Sequence, residues 1–406
     1  MSKFINGAEV RPEILDHREL GKRLEYFSFH EEASAQPFFK PNGLKLKENL
    51  IRRWRREHEG AGYLEIESPQ LLDRSLWECS GHWDLYKEHM FLSESGSRSL
   101  AIKPMNCPGA MLVFKEKKRS FKELPLRLCE MGKVHRDENS GSVHGLMRVK
   151  AFSVDDAHIF CEAEQLLDEV KGVINLIYKI LQPFNFPKFE FELSVRGRSK
   201  MEKYLGAEED WNFAESILAK ALEEMSIPYK VVEGEAKFYG PAIELRIGDS
   251  FGRSWQCSSI QMDFNLSERF KISYLDKNDQ KKVPFILHRC IYGSLERFMG
   301  ILLEHYQGAF PVWLAPIQVQ VISLDEDSYA DSIFQELRDL GYRVELDSRD
   351  KSLSVKMKDF RKSKIPLAII VGKKEREDKS ISIREREGKS HQFKDIDYFK
   401  YLLNSL

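Results

Sequence analysis

The hydrophobic pattern changes its rule near residue 310, and no other feature of this 406-residue chain constrains its fold as much. Beyond FPVWLAP (310–316), the segments QVQVISL, SYADSIFQELRDLG, YRVELD, KMKDFRKSK, PLAIIVG, SISIRER and DYFKYLLNSL alternate strand-like and helix-like periodicities. Strands separated by helices give a compact α/β domain of roughly a hundred residues. Before residue 310 the elements are joined differently. LKLKENLIRRWRREHE (44–59) sets Leu46, Leu50, Ile51 and Trp54 at helical spacing ahead of Gly60, and YLEIESP follows as a strand ended by Pro69. EQLLDEVKGVINLIYKIL and AESILAKALEEM read as helices, and KFEFELSV as a half-buried strand. IELRIGD and SWQCSSIQMDF read as two strands joined by a turn at Asp249–Arg253, and GSLERFMGILLEHY closes the region as a helix. Links of this kind favour a mixed or antiparallel sheet over a doubly wound one. The expectation is two domains, residues 1–309 and 310–406.

Composition narrows the class. Apolar residues make up 42% of the chain and aromatics 11%, enough for sizeable cores rather than disorder. The 63 basic and 64 acidic residues cancel, so composition announces no nucleic-acid partner and any basic surface must be local. Cys79, Cys107, Cys129, Cys161, Cys257 and Cys290 form no CxxC pair, which fits reduced thiols in a cytoplasmic protein, some of them open to a metal. MSKFINGAEVRPE has no apolar signal core, and runs such as Pro366–Val371 are too short for a bilayer, so a soluble protein without a membrane partner is expected.

Three segments are candidates for chemistry. In RLCEMGKVHRDENSGSVHGLMRVKAFSVDDAHIF (127–160), Arg136, Glu138, His144, Arg148, Asp155, Asp156 and His158 crowd among apolar residues. Guanidinium forks beside a Gly/Ser turn suit phosphates and carboxylates, although a solvated hairpin with a few salt bridges has the same composition. FYGPAIELRI with SWQCSSIQMDF alternates Gln256, Cys257 and Gln261 with apolar partners, as either a polar concave face or an ordinary half-exposed strand would. In HRCIYGSLERFMGILLEHY, Arg297 stands in a helical first turn, placed either to stack on a ring or to keep its charge in water. Cys107, His158 and His288 are chemically able to bind zinc, but their separations carry no spacing signature.

Taken together, the strings LWECSGHWDLY, IKPMNCPG, HRDENSGSVHGLMR, DDAHIF, WQCSSIQMDF and GSLERF fall in the order found in threonyl-tRNA synthetases, which the chain resembles from Asp16 to its C-terminus. HRDE resembles the second class II motif and GSLERF the third, with Pro69 at the dimer-interface proline of the first. The resemblance implies an α+β catalytic domain, with an antiparallel sheet flanked by helices, followed by a smaller α/β anticodon-binding domain. It implies a homodimer that turns L-threonine and ATP into threonyl-adenylate and transfers the acyl group to tRNA(Thr). Arg136 would then bridge the α-phosphate and the amino-acid carboxylate, Glu138 read the adenine edge, Phe152 and Arg297 sandwich the adenine, and Arg148 hold phosphates. Gln256 would lie beside ATP and Cys257 near the amino acid, with Mg²⁺ accompanying ATP. Cys107, His158 and His288 match the zinc ligands of the family, about one ion per chain, leaving positions for threonine's amino group and hydroxyl. Asp156 would accept the substrate hydroxyl, with Tyr239 and Gln261 lining the pocket and His82 assisting the ribose hydroxyl. Glu375 and Arg384 match anticodon contacts.

The match has gaps. Ala110 replaces a histidine, Val154 a glutamine, and Ala242 a lysine expected near the α-phosphate. Losing such a charged contact costs roughly 2–4 kcal/mol of transition-state stabilisation. Asp350 stands for an asparagine and Lys358 for an arginine in the anticodon domain, changing donor patterns there. The thinned pocket leaves an alternative, a paralogue that loads threonine or a related amino acid onto another acceptor. The chain also starts about fifteen residues before DHRELGKRLEYF, where longer family members carry an editing domain. The expectation is no editing in cis and misactivation of serine, which keeps the hydroxyl and differs by one methyl worth about 1–3 kcal/mol.

Overall fold

Period-two segments hydrogen-bond into one eight-stranded sheet in the computed structural model of the protein, which describes residues 3–5, 8–10, 14–197, 204–249, 251–325, 328–393, 399 and 403. The chain divides into two compact units, Phe29–Pro37 with Ile51–Ile301, and Met1–Ser28, Phe38–Leu50 and Leu302–Leu406. In chain order the elements up to residue 306 are α1 (Pro41–Gly60), β1 (Leu64–Glu65), α2 (Cys107–Lys115), β2 (Leu126–His135), β3 (Ala151–Cys161), α3 (Leu166–Leu181), β4 (Lys188–Val195), α4 (Glu208–Glu224), β5 (Tyr229–Glu233), β6 (Ala242–Gly248), β7 (Ser254–Asp263), β8 (Phe285–Cys290) and α5 (Leu295–Tyr306).

The sheet runs β5–β4–β6–β7–β8–β3–β2–β1. All its inner pairs are antiparallel, while the outermost pair at each edge, β4 with β5 and β2 with β1, is parallel. The expected mixed or antiparallel sheet is thus mainly antiparallel. On one face α3 packs across β7 and β8, because Val170, Val173, Ile174, Ile177 and Leu181 recur at helical spacing and are all buried. Each contributes roughly 1.5–3 kcal/mol, an upper figure because the unfolded chain is already partly collapsed. The opposite face is left for a cleft.

The second unit carries the α/β region: β9 (Val319–Ser323), α6 (Ser328–Asp339), β10 (Val344–Asp347), α7 (Leu353–Ser363), β11 (Leu367–Val371), α8 (Lys373–Asp378), β12 (Ile381–Glu385) and β13 (Ser390–Phe393). Its sheet runs β10–β9–β11–β12–β13, parallel over the first three strands and antiparallel thereafter. Val319, Val321, Ile333, Leu337, Ile369 and Ile383 form its core. Short α8 and β13 have too few apolar residues to show a period in the sequence. The helix expected at DYFKYLLNSL lies, apart from Phe399 and Leu403, outside the described residues. No helix among the described residues is long and apolar enough to cross a membrane.

Candidate active site

Successive side chains of a strand face opposite sides. On β3, Phe152, Val154, Asp156 and His158 therefore share the cleft face, while Asp155 turns away. The antiparallel register then sets His158 opposite His288 on β8, and His288 opposite Gln261 on β7. Such partners have Cβ atoms about 4.5–5.5 Å apart, and the two imidazole centroids lie 4.9 Å apart. Cys107, the first residue of α2, completes the group: its Sγ and one nitrogen from each ring all lie within 4.8 Å of one another. A thiol and two imidazoles converging in this way can hold a metal ion with coordination positions to spare.

Neighbouring groups fix the donors. Asp263 is fully buried; its Oδ2 lies 2.9 Å from His288 Nε2, while its Oδ1 accepts the amides of Asn265 and Leu266. A carboxylate on the far nitrogen sets the tautomer and orientation of a ligating imidazole. Asn106 donates from Nδ2 to Asp156 Oδ2 at 2.7 Å. Its seat exists only because residue 132 is glycine, since a Cβ there would stand 2.2 Å from Asn106 Oδ1. The hydroxyl of Tyr239 donates to Gln261 Oε1 at 2.5 Å. Burial dominates the electrostatics. It pushes the Cys107 thiol and the Tyr239 phenol well above their ordinary values and His158 well below. It also raises Asp156, against the pull of the Asn106 hydrogen bond. A bound cation would reverse the sign for the thiol. All six lining groups, Cys107, Asp156, His158, Tyr239, Gln261 and His288, face a cavity of about 780 Å³.

His82 is also at this end, buried, with Nδ1 at 2.8 Å from Ser80 Oγ and Nε2 at 3.0 Å from Met105 Sδ. Burial lowers its pKa to about 4, so it is neutral at neutral pH.

A second cavity of about 400 Å³ adjoins the first, sharing Arg136, Val154, Ser259 and Cys290. Glu138, Arg148, Phe152, Gln256, Cys257 and Arg297 line it, so the residues expected around ATP do meet in one place. The Arg136 guanidinium stands 5.2 Å from the Phe152 ring centroid and donates through Nε to the Pro104 carbonyl. Arg297 donates through Nε to the Met147 carbonyl at 2.8 Å. Glu138 and Arg148 pair with each other at 2.7 Å, with half of the arginine side chain exposed. On the other face of β3, Asp155 accepts the amides of Ile291, Tyr292 and Gly293 at 3.0, 3.0 and 2.9 Å, clamping the turn that leads into α5 and its Arg297. Burial pushes Asp155 up to about 7, against Arg289 and those amides. Gly293 makes that turn with φ of 71°, and a Cβ there would lie 2.8 Å from the Cys257 carbonyl oxygen.

The three departures sit at distinct places. Ala110 is buried in α2, Ala242 is buried opposite Gln261, and Val154 lines both cavities. Among the described residues, no hydrogen bond or ion pair joins Asp350, Lys358, Glu375 and Arg384. Asp350 and Lys358 are exposed, Glu375 accepts the Gly372 amide and the Ser382 hydroxyl, and Arg384 donates to Ser390 Oγ. Asp263 and Asn106 were not expected from the sequence, and Asp155 was picked out only as one of the clustered charges of 127–160, without a role. Asp263 had a signal, because Cys257, Ser259, Gln261 and Asp263 share one parity on a single strand; the other two act through loops and main-chain amides that leave no periodic trace.

Sequence and structure neighbours agree with this geometry. The family model for the tRNA synthetase class II core domain (G, H, P, S and T) matches residues 87–306, and the anticodon binding domain model matches residues 318–404. The threonine–tRNA ligase of Fusobacterium nucleatum subsp. nucleatum is 47% identical over 99% of this chain and 64% of its own length. That of Caldanaerobacter subterraneus subsp. tengcongensis is 48% identical over 92% of this chain and 57% of its own. The chain thus spans less than two thirds of the curated relatives it matches. The solved RNA binding domain of threonyl-tRNA synthetase from Cryptosporidium parvum Iowa II superposes with a TM-score of 0.93 at 34% identity, covering 96% of this chain and 98% of that one. A Giardia lamblia prolyl-tRNA synthetase in complex with prolyl-adenylate, 19% identical with a TM-score of 0.72, shares the fold.

Proposed function

We propose, from the premise that this chain belongs to the class II threonyl-tRNA synthetases, that it activates L-threonine with ATP and transfers the threonyl group to a ribose hydroxyl of tRNA(Thr). One observation carries the reading: Cys107, His158 and His288 converge beside Asp156 in a cavity that opens onto the arginine-lined one. These three residues would hold zinc, whose spare coordination positions take an amino group and a hydroxyl and so distinguish threonine from valine. Asp156, oriented by Asn106, accepts the substrate hydroxyl. Tyr239 and Gln261, already hydrogen-bonded to each other, close the pocket around the methyl group. Arg136 reaches the carboxylate and the α-phosphate from the junction of the two cavities, a bidentate task suited to guanidinium. Adenine lies between Phe152 and Arg297, with Glu138 at its edge and Gln256 beside the nucleotide. Arg148, whose side chain is half exposed, turns from Glu138 to meet the phosphates. Mg²⁺ would enter with ATP and offset phosphate charge.

The same reading places the domain boundary near residue 310, makes the protein a cytoplasmic homodimer, and assigns Asp350, Lys358, Glu375 and Arg384 to the anticodon. ATP–pyrophosphate exchange tests it. Threonine should support exchange, serine should do so roughly 10–200-fold less well, and valine should not; added tRNA(Thr) should be charged. No threonine-dependent exchange, or equal exchange with valine, would overturn it.

A further inference from the structure

Charge on this chain cancels globally, so a polyanion must find a local surplus. One such surplus borders a cavity away from the cleft. A groove of about 220 Å³ is lined by Lys115, Lys117, Lys118, Arg119, Lys271 and Lys281 over an apolar floor, with no acidic side chain in its wall among the described residues. Two segments far apart in sequence build it. The end of α2 runs into the strand Arg119–Ser120, which pairs with Tyr274–Leu275, which in turn pairs with Lys281–Lys282.

Not all six cations are free to act. Arg119 donates to the Phe114 and Val113 carbonyls at the end of α2 and pairs with Glu123, as does Lys117. Basic residues at a helix C-terminus complement its dipole, which accounts for Arg119 and for Lys115 in part. It does not account for Lys271 and Lys281, which come from another segment. The side chains of Lys115, Lys118, Lys271 and Lys281 make no ion pair or hydrogen bond among the described residues, and all four residues are exposed. The aromatic rings of the floor, Phe114 and Tyr274, are buried, so the groove offers no face on which a base can stack. Such a surface suits phosphates and carries no sequence readout.

Position identifies the occupant. Cys107 starts α2 at the cleft and Lys115 ends it at the groove, so the rises of about 1.5 Å between the two ends of this 9-residue helix separate them by roughly 12 Å along its axis. A nucleic acid whose terminal ribose enters the cleft can lay its next phosphates within that distance. We infer that Lys115, Lys118, Lys271 and Lys281 hold backbone phosphates of the acceptor arm of the tRNA; the inference rests on the proposed aminoacylation and deepens it.

The test uses the full chain and a variant combining Lys115→Gln, Lys118→Gln, Lys271→Gln and Lys281→Gln. Binding of a labelled acceptor-arm minihelix is followed by anisotropy between 50 and 200 mM KCl, with tRNA-independent threonine exchange measured on the same preparations. The variant should bind at least about tenfold more weakly at low salt. Its slope of log affinity against log salt should be shallower by roughly 0.7–0.9 for each phosphate that is no longer neutralised, while exchange is unchanged. Equal affinity and equal slope overturn the inference, even if the groove proves to bind inorganic phosphate. Should the quadruple variant fold poorly, Lys118→Gln with Lys281→Gln asks the same question with about half the slope change. Absence of threonine exchange in the unaltered protein counts against the proposed function instead, so the two failures are distinguishable.

Discussion

The two ends of the cleft are built by different means. At the end proposed for the metal, two donors stand opposite each other on paired strands and the third at the start of α2, while buried Asp263 holds His288 and buried Asn106 holds the neighbouring Asp156. At the end proposed for the nucleotide, Glu138 and Arg148 sit beyond the strand ends and pair with each other, the arginine half in solvent. Sheet register fixes a geometry before any ligand arrives. A loop ion pair at the surface is worth little and can be exchanged for a ligand. On the proposed function, the Cys107–His158–His288 end is therefore organised to discriminate, and the Glu138–Arg148 end to rearrange.

The largest effect that could break this contrast comes from Cys107→Ser, which keeps the size of the side chain and removes the thiolate. Metal content should fall from about one ion per chain to a small fraction. Threonine exchange should drop by at least the roughly 10²–10³-fold that follows removal of one preorganised polar group from a closed site. Retention of both metal and exchange would show that the three donors do not act together. Asp263→Asn should be milder. It keeps the oxygen that accepts the Asn265 and Leu266 amides but withdraws the carboxylate from His288. Removing such a partner typically weakens metal binding about 10–100-fold, read by chelator competition; unchanged affinity would mean that the register alone positions the imidazole.

Legibility in the sequence follows the same division. Period two over KFEFELSV, IELRIGD and SWQCSSIQMDF found β4, β6 and β7, and helical spacing found α1, α3 and α5, because each buries one regular face. α4 begins six residues ahead of AESILAKALEEM, where the acidic run Glu208–Asp210 carries no apolar period. The pairing of His158 with His288 is a contact across 130 residues that no local pattern encodes. Resemblance to a family named these ligands; the residues alone did not. Gly132 and Asn106 show why such supports are harder still: their roles depend on an empty space and one amide, neither of which has a period.

At the nucleotide end, Glu138→Gln should raise the KM for ATP about tenfold, the effect of one interaction worth roughly 1.4 kcal/mol, with exchange at saturating ATP less affected. Its effect on unfolding free energy should stay under about 1 kcal/mol, because the arginine it releases is half exposed and returns to water. A large loss of stability would place Glu138 among the rigid supports and erase the distinction between the two ends.

The smallest effect separates the ends by pH. His82 has an ordinary value of 6.5 and a folded value of about 4, lowered chiefly by burial. Below 6.5 the unfolded chain takes up a proton that the folded chain refuses until about pH 4. His82 thus destabilises the fold progressively as pH falls through that window and has no effect above it. Between pH 7 and pH 6 the cost is less than about 1 kcal/mol. His82→Gln should remove that increment, seen as a smaller shift in denaturation midpoint over this pH step in the chelated protein. Other buried histidines, His58 among them, contribute equally to both proteins and cancel in the difference. No histidine lines the nucleotide cavity, so ATP affinity should lack a matching protein inflection over the same step. An identical pH slope in the variant would mean that His82 titrates alike in the folded and unfolded chains. Its contacts with Ser80 and Met105 would then have to be redrawn, and the metal end would lose its claim to be the drier of the two.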